Sequence, residues 1–251
     1  MAPTSDLATR LRGGPKAAEL LIKKLDALHR LSDAERAALL AAAPTRERHE
    51  AGAELYVEQA PVSKPYVILS GWACRQRVLA DGRRQILSFL LPGDAVGLCA
   101  RRSPLALTAT VAMTRMDVAD ATFVKAAASR TQNTRLAEAL TMAAAEEEGQ
   151  LLDHVVRLGC QTALERTAHL LLELHARLKV VGLATERSFP MPVTQEVLAD
   201  SLGLSVVHMN RTLQQLRRDR LILSKDGYVT LLEPLRLAEF ADFRRTRVSG
   251  K

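Results

Sequence analysis

The stretch from Thr194 to Arg220 constrains this chain more than any other, because its residues are spaced as two short helices joined by a tight turn. Thr194 and Ser205 are both common N-cap residue types, and apolar residues recur at helical spacing after each of them. Gly203 lies between the two helices, where a left-handed turn residue is needed. Ala199, a small residue, lets the two helices cross closely. The spacing predicts a helix-turn-helix, whose second helix enters the major groove of DNA.

An ordinary helical hairpin would share this spacing, but the outer face of the second helix favours DNA. Polar and apolar types that can read base edges share one exposed stripe, and arginines that suit phosphates follow at the helix end. The residues predicted to read bases are Val206, Val207, His208, Asn210, Arg211 and Gln214. The residues predicted to bind phosphates are Thr194, Ser205, Arg217, Arg218 and Lys225.

The composition agrees with a nucleic-acid partner and weighs against a membrane protein. The net charge of +7 suits an anionic partner, although membrane-surface binding would also explain it. No apolar run approaches the roughly 20 residues that span a bilayer, and the N-terminus has no apolar signal-peptide core. Aromatic residues make up 4% of the chain, too few for single-strand stacking platforms. We therefore expect a cytoplasmic protein that binds double-stranded DNA.

Hydrophobic periodicity divides the rest of the chain into three regions and predicts an α+β fold. Residues 14–125 read as a β-roll domain preceded by short helices, the second of which begins at a Ser32–Glu35 capping box. Its predicted strands are Tyr66–Leu69, Cys74–Leu79, Gln85–Leu91 and Leu105–Met113, with an Asp81-Gly82 hairpin turn between the second and the third. Residues 126–159 read as a long helix, and residues 160–251 as the DNA-binding domain.

The long helix carries a 4-3-4-3-4 spacing that is typical of a two-stranded coiled coil. The predicted seam is Leu140, Ala144, Glu147, Leu151, His154 and Leu158. Its polar members interrupt the apolar pattern, so a helix that simply packs on its own β-roll is the alternative. A homodimer would suit DNA binding, since two recognition helices could then address half-sites one helical turn apart.

A helix at Thr162–Leu178 precedes the helix-turn-helix, and a hairpin follows it. The hairpin, Leu221–Leu231, turns at Asp226-Gly227 and would form a wing with Lys225 at its tip. A closing helix is predicted at Leu235–Phe243.

The order of these parts, with several local motifs, resembles a bacterial Crp/Fnr-type transcription regulator along nearly the whole chain. The motifs that carry the resemblance are Gly71-Trp72-Ala73, Leu79–Ile86, Leu90–Asp94 with Gly97, and above all Pro192–Ile222. The resemblance implies a β-roll sensor, a dimerisation helix and a winged helix-turn-helix that binds pseudo-palindromic promoter DNA. It also implies a homodimer that works with RNA polymerase.

The sensor departs from relatives that bind cyclic AMP. Those relatives hold the ribose with a glutamate just after the glycine that Gly97 resembles, and this chain has Leu98 there. The positions that would carry the phosphate-binding Arg-Ser pair fall near Ala106 and Leu107. A shifted loop could instead present Arg101, Arg102 and Ser103, so the candidate effector pocket is Gly97, Leu98, Arg101, Arg102 and Ser103. A buried phosphate without a cation is costly, so cyclic AMP is possible but disfavoured, and no cofactor is predicted.

The sequence gives little support for the other effectors of the family. Cys74, Cys99 and Cys160 are scattered and too few for a four-cysteine iron–sulfur cluster. Cys74 or His154 could be nominated as a haem ligand and Cys74 or Cys99 as a redox sensor, but lone residues of these types are more often structural. The recognition helix departs as well, because many relatives begin it with a polar pair such as Arg-Glu. Here Val206-Val207 stands in that place.

The alternatives to a DNA-binding regulator fall into two classes. One is a cyclic-nucleotide-responsive regulator of the same fold, or a regulatory module that acts through protein contacts. The other is an enzyme, which the sequence does not favour, since it has no nucleophile–base arrangement, metal-ligand cluster or phosphate-binding glycine loop.

Overall fold

The computed structural model describes residues 17–42, 45–98, 104–128 and 134–244. These residues pack as two units. The first contains the described residues up to Arg75 together with Phe89–Ala145, and the second contains Gln76–Ser88 and the described residues from Glu146 onward. Among the described helices, none combines the length and the low charge that crossing a membrane requires.

The first unit opens with two helices, α1 (Ala17–Leu28) and α2 (Asp33–Ala41). The capping box at the start of α2 is confirmed, because the Ser32 hydroxyl accepts the N–H of Glu35 while the Glu35 carboxylate accepts the N–H of Ser32. Glu35 is almost fully buried, and its second oxygen accepts the N–H of Leu136 at 2.9 Å. One carboxylate therefore caps two helices that lie about a hundred residues apart in sequence.

Short strands then form two four-stranded sheets, which confirms the predicted α+β fold. The sheet orders are β1-β8-β3-β6 and β2-β7-β4-β5. The strands are β1 (Arg46–His49), β2 (Glu54–Tyr56), β3 (Tyr66–Ser70), β4 (Ala73–Val78), β5 (Arg84–Leu90), β6 (Ala95–Val96), β7 (Ala109–Ala112) and β8 (Met116–Asp120). Gly82, at φ 85°, makes the predicted turn between β4 and β5.

The predicted strand Leu105–Met113 is wrong in its first half, because regular strand begins only at Ala109. Leu105 makes an isolated bridge to Pro61, and Ala106 exchanges backbone hydrogen bonds with Gln59 and Ala60. This segment pairs with a loop instead of a sheet, and a periodicity argument cannot distinguish the two.

Two apolar clusters hold the first unit together. One fills the β-roll and includes Ile68, Ala73, Met116 and Val118. The other joins the helices to β3 and β8, and it includes residues of α1, of α3 (Thr122–Ala128) and of the long helix α4 (Thr134–Cys160).

The second unit contains the remaining elements. They are the later part of α4, α5 (Ala163–Val180), β9 (Ser188–Pro190), α6 (Gln195–Leu202), α7 (Val206–Arg218), β10 (Ile222–Lys225), β11 (Tyr228–Leu231) and α8 (Pro234–Phe240). The predicted wing is confirmed, and Asp226 and Gly227 turn it with positive φ angles of 52° and 76°. Strand β9 was not predicted, and it extends the wing to three strands by pairing with β11.

The tip of the β4–β5 hairpin also belongs to the second unit, where it contacts α6. Arg84 donates two hydrogen bonds, at 2.8 and 2.5 Å, to Oδ2 of Asp200. The side-chain amide of Gln85 donates to the carbonyl oxygen of Ser201 at 3.2 Å. These contacts hold the β4–β5 hairpin against the C-terminal turn of α6.

The predicted seam of α4 is wrong in register. His154, which should face a partner helix, is only 7% exposed and is buried within its own unit. The large apolar side chains of α4 that are exposed are Leu151, Leu152, Val155 and Val156, of which only Leu151 belongs to the predicted seam. A 4-3-4-3-4 spacing does run through exposed positions one residue later, and we call it the α4 stripe: Thr141, Ala145, Glu148, Leu152, Val155 and Gly159. A shift of one residue turns the seam by about 100° around the helix.

Candidate nucleic-acid interface

The predicted helix-turn-helix is confirmed in α6 and α7. Thr194 caps α6 by accepting the N–H of Val197, and Ser205 caps α7 by accepting the N–H of His208. Gly203 has a φ of 63°, and the N–H groups of Gly203 and Leu204 both bond to the carbonyl oxygen of Ala199. The buried faces of the two helices are Val197, Leu198, Ala199 and Leu202, and Met209, Leu213 and Leu216.

Arg166 on α5 stabilises the turn between α6 and α7 by hydrogen bonding. Its Nη1 donates to the carbonyl oxygen of Leu202 at 2.9 Å, so it satisfies a carbonyl at the C-terminus of α6. Its Nε and Nη2 both donate to the carbonyl oxygen of Gln161. Sequence reasoning missed this residue, since an arginine inside a helix gives no sign of a carbonyl contact 36 residues away.

The residues predicted to read bases lie along α7. Val206, Val207, His208, Arg211 and Gln214 are exposed, and Asn210 is half-buried. The amide of Gln214 donates to Oδ1 of Asn210 at 2.8 Å, and the amide of Asn210 donates to Oε1 of Gln195 at 2.9 Å. Gln195, in the first turn of α6, was not among the predicted site residues.

The residues predicted to bind phosphates surround this face. Thr194 and Ser205 are exposed although their oxygens already accept capping bonds, so each hydroxyl keeps its O–H donor for another acceptor. Arg218 and Lys225 are exposed, and Arg217 is half-buried. Lys225 Nζ lies 4.0 Å from the Asp226 carboxylate. Because both side chains are exposed, this ion pair is weak.

An open cleft runs beside α7 and reaches the start of α5. Its lining residues are Thr162, Ala163, Leu164, Ser205, Val207, His208, Arg211, Thr212 and Gln215. The cleft thus contains two helix N-termini together with Arg211, an arrangement that suits an anionic ligand.

The candidate effector pocket belongs to the first unit, and the structure describes only some of its residues. Arg101, Arg102 and Ser103 lie outside the described residues. Gly97 has a φ of 73°, and a Cβ there would overlap the hydroxyl of Tyr56, which donates to the carbonyl oxygens of Lys64 and Val96. Leu98 packs on the apolar cluster of helices and strands, and Ala106 is buried in the β-roll cluster.

The positions of the cysteines and of possible metal ligands bear on metal and redox chemistry. Within residues 17–42, 45–98, 104–128 and 134–244, no three His, Cys, Asp or Glu side chains gather as metal ligands. Cys74 is buried with its sulfur 3.2 Å from the sulfur of Met113, Cys160 is exposed, and Cys99 lies outside the described residues.

Comparisons with known proteins match both halves of the chain. A cyclic nucleotide-binding domain family matches residues 46–119, and a Crp-like helix-turn-helix domain family matches residues 165–240. The nitrogen fixation regulation protein FixK of Bradyrhizobium diazoefficiens is 32% identical over 197 residues, which cover 78% of this chain and 81% of the relative. The chain belongs to the Crp/Fnr family of transcription regulators.

Further relatives agree with this assignment. The transcriptional activator protein FnrL of Cereibacter sphaeroides is 28% identical over 179 residues, covering 69% of this chain and 71% of the relative. The structure of FixK2 from Bradyrhizobium japonicum aligns with a TM-score of 0.68 at 29% identity, covering 79% of this chain and 98% of that one. This Crp/Fnr protein is therefore a transcription regulator with a helix-turn-helix that binds DNA, and its family is not one of enzymes.

A cluster of buried charges joins α4 to α5 in the second unit of this regulator. Arg157 Nη2 lies 2.7 Å from Oε2 of Glu173, and Arg177 donates to the other oxygen at 3.2 Å. Burial alone would raise the pKa of Glu173, but the two guanidinium groups hold it below its usual value. Burial and the neighbouring Arg157 charge lower the pKa of His154 to about 4, and they also lower the pKa of His169.

These lowered pKa values predict a stability that depends on pH. An unfolded histidine binds a proton near pH 6.5, whereas folded His154 stays neutral until about pH 4. The unfolded state therefore binds more protons between these values, and the free energy of unfolding should fall as pH drops through this window. The loss due to His154 is on the order of 3 kcal/mol, at about 1.4 kcal/mol for each pKa unit.

The substitution His154→Leu should flatten this dependence, with the remaining slope due to His169 and, towards pH 4, to Glu173 and other carboxylates whose pKa values are lowered in the folded protein. Urea unfolding of the second unit, followed at several pH values between 6.5 and 4, would measure it. An unchanged slope in His154→Leu would contradict the assignment.

Proposed function

We propose that this regulator binds a two-fold symmetric promoter site as a homodimer, with α7 of each copy in the major groove. The observation that carries the proposal is the exposed face of α7. It brings base-reading side chains together with capped helix ends and basic residues around them. As a transcription regulator it would work with RNA polymerase in the cytoplasm, which its family membership supports.

The side chains of α7 suggest how bases are distinguished. Exposed Arg211 can donate two hydrogen bonds to O6 and N7 of guanine. Val206 and Val207, which are 48% and 62% exposed, offer only apolar contact, for instance with a thymine methyl group. His208, Asn210 and Gln214 complete the base-reading set. The preferred operator should therefore lack a strongly specified cytosine at the position that relatives read with a glutamate.

Two arginine substitutions should separate base reading from phosphate binding. Arg211→Ala should cost about 1–3 kcal/mol in specific binding and relax one base position. Arg218→Ala should weaken binding to all duplexes alike and reduce the salt dependence. Titrations of selected and scrambled duplexes at two or more salt concentrations would measure both effects. Identical behaviour of the two variants would contradict this division of roles.

We infer that the α4 stripe is the dimer surface. Leu152 and Val155 on it are 61% and 66% exposed, which is unusual for large apolar side chains at regular helical spacing. The occupant proposed for the stripe is α4 of a second copy, because a seam with a 4-3-4-3-4 spacing suits a helix of the same sequence.

The substitution Leu152→Asp should place a charge in this seam and produce a monomer. Analytical ultracentrifugation over a range of protein concentrations would measure the change, and DNA affinity should fall with it. Leu235→Asp is the matched control, because Leu235 is an 88% exposed leucine on α8 and does not belong to the stripe. A Leu152→Asp protein that stays dimeric would exclude this surface.

We further propose that the β-roll does not use cyclic AMP as its effector. Leu98 and Ala106 stand where relatives place polar ligands, and both pack in apolar clusters. A nucleotide phosphate next to these two side chains would lose its hydration, and neither of them supplies a cation in return. Isothermal calorimetry with cyclic AMP and cyclic GMP should therefore show no saturable heat. Saturable binding of either nucleotide would refute the proposal and favour a cyclic-nucleotide-responsive regulator.

A further inference from the structure

Three side-chain amides form a chain of hydrogen bonds across the helix-turn-helix. The amide of Gln214 donates to the oxygen of Asn210, and the amide of Asn210 donates to the oxygen of Gln195. Gln214 and Asn210 are one turn apart on α7, whereas Gln195 lies in the first turn of α6. These hydrogen bonds thus connect the middle of the recognition helix to the start of the helix before it.

The three residues differ in exposure. Gln195 and Asn210 are half-buried, and only Gln214 is exposed. A side-chain amide has two N–H donors and an oxygen that accepts two bonds. Within the described residues Gln214 uses one N–H, so its oxygen and its second N–H remain for a ligand. An acceptor beside a donor is the pattern with which a glutamine binds N6 and N7 of adenine in the major groove.

We propose that Gln214 reads an adenine, and that Asn210 and Gln195 are positioning residues that set the direction of its amide. The inference rests on the proposed DNA-binding role of α7. If the Gln214 amide were turned over while Asn210 stayed in place, its oxygen would face the Asn210 oxygen, and two acceptors repel. The Asn210 oxygen therefore keeps an N–H of the Gln214 amide turned towards it. In the same way, the Gln195 oxygen keeps an N–H of the Asn210 amide turned towards Gln195.

Holding Gln214 in advance also favours binding. A free glutamine side chain loses rotamer freedom when it contacts a base, and this loss opposes association. The bond to Asn210 restricts Gln214 before DNA arrives, so less freedom remains to be lost.

Substitutions at Gln195 can reverse the direction of these hydrogen bonds, and they therefore test the proposal. Gln195→Glu offers only acceptors, so Asn210 must still donate to it and Gln214 should keep its preference for adenine. Gln195→Lys offers only donors, so the Asn210 oxygen should turn towards it. The Gln214 oxygen should then accept from Asn210, leaving two N–H donors outward. Guanine, which presents two acceptors at O6 and N7, should replace adenine at that position.

The experiment is a selection of binding sites from random duplexes with the full-length wild type and the two variants. It is followed by titrations of matched duplexes that differ only at the selected base. We expect the wild type and Gln195→Glu to prefer adenine over guanine by about tenfold or more, and Gln195→Lys to reverse this ratio. Asn210→Ala should lose the preference at this position and keep it elsewhere. Gln85→Leu, which removes a glutamine amide that bonds α6 from its other side, should keep the wild-type preferences.

Other outcomes would overturn the inference in recognisably different ways. If Gln195→Glu weakens and Gln195→Lys strengthens binding to all duplexes with unchanged base preferences, Gln195 is a phosphate contact and not a positioning residue. If the wild type enriches no sequence at all, the proposed function fails and this inference fails with it. Circular dichroism and thermal unfolding of each variant would show that a changed preference does not come from a misfolded domain.

Discussion

The buried ion cluster of Arg157, Glu173 and Arg177 is the interaction on which the DNA-binding half depends. It joins α4 to α5, and α5 in turn contacts α6, α7, α8 and β9. Breaking such a buried pair by removing one partner typically costs 3–5 kcal/mol, because a charge is left without compensation. An apolar contact of similar size would tolerate sliding between the two helices. A charge pair restricts such sliding, because even a small displacement leaves both ions poorly solvated.

This cluster also explains why His154 could not be interpreted correctly from the sequence. The heptad spacing placed His154 in a dimer seam, but the side chain is buried and interacts with the charges of Arg157 and Glu173, of which Glu173 lies on another helix. Gln195, Arg166 and strand β9 were missed for the same reason, since each acquires its role from a partner distant in the chain. By contrast, the caps at Ser32, Thr194 and Ser205 were predicted correctly because each capping bond closes within three residues. The helix-turn-helix and the wing turn succeeded likewise, since local backbone geometry defines them.

The β-roll shows how a fold can persist after its usual ligand contacts change. The turns at Gly71, Gly82 and Gly97 have the positive φ angles that glycine adopts readily. At the positions of the ligand contacts, leucine and alanine now contribute to apolar clusters. Packing of these two side chains contributes to the stability of the first unit, in keeping with the proposal that the β-roll does not use cyclic AMP.

As the proposed dimer surface, the α4 stripe would make the regulator respond to its own abundance. Only Leu152 and Val155 on the stripe are large and apolar, while Thr141, Glu148 and Gly159 contribute little to association. A seam of this composition gives a dimer that dissociates at low protein concentration. In the proposed dimer, operator occupancy then rises with the square of the protomer concentration until most copies are paired. Synthesis and proteolysis of the chain would act as inputs to transcription, so a sensor domain without a small-molecule ligand need not leave the regulator without a signal.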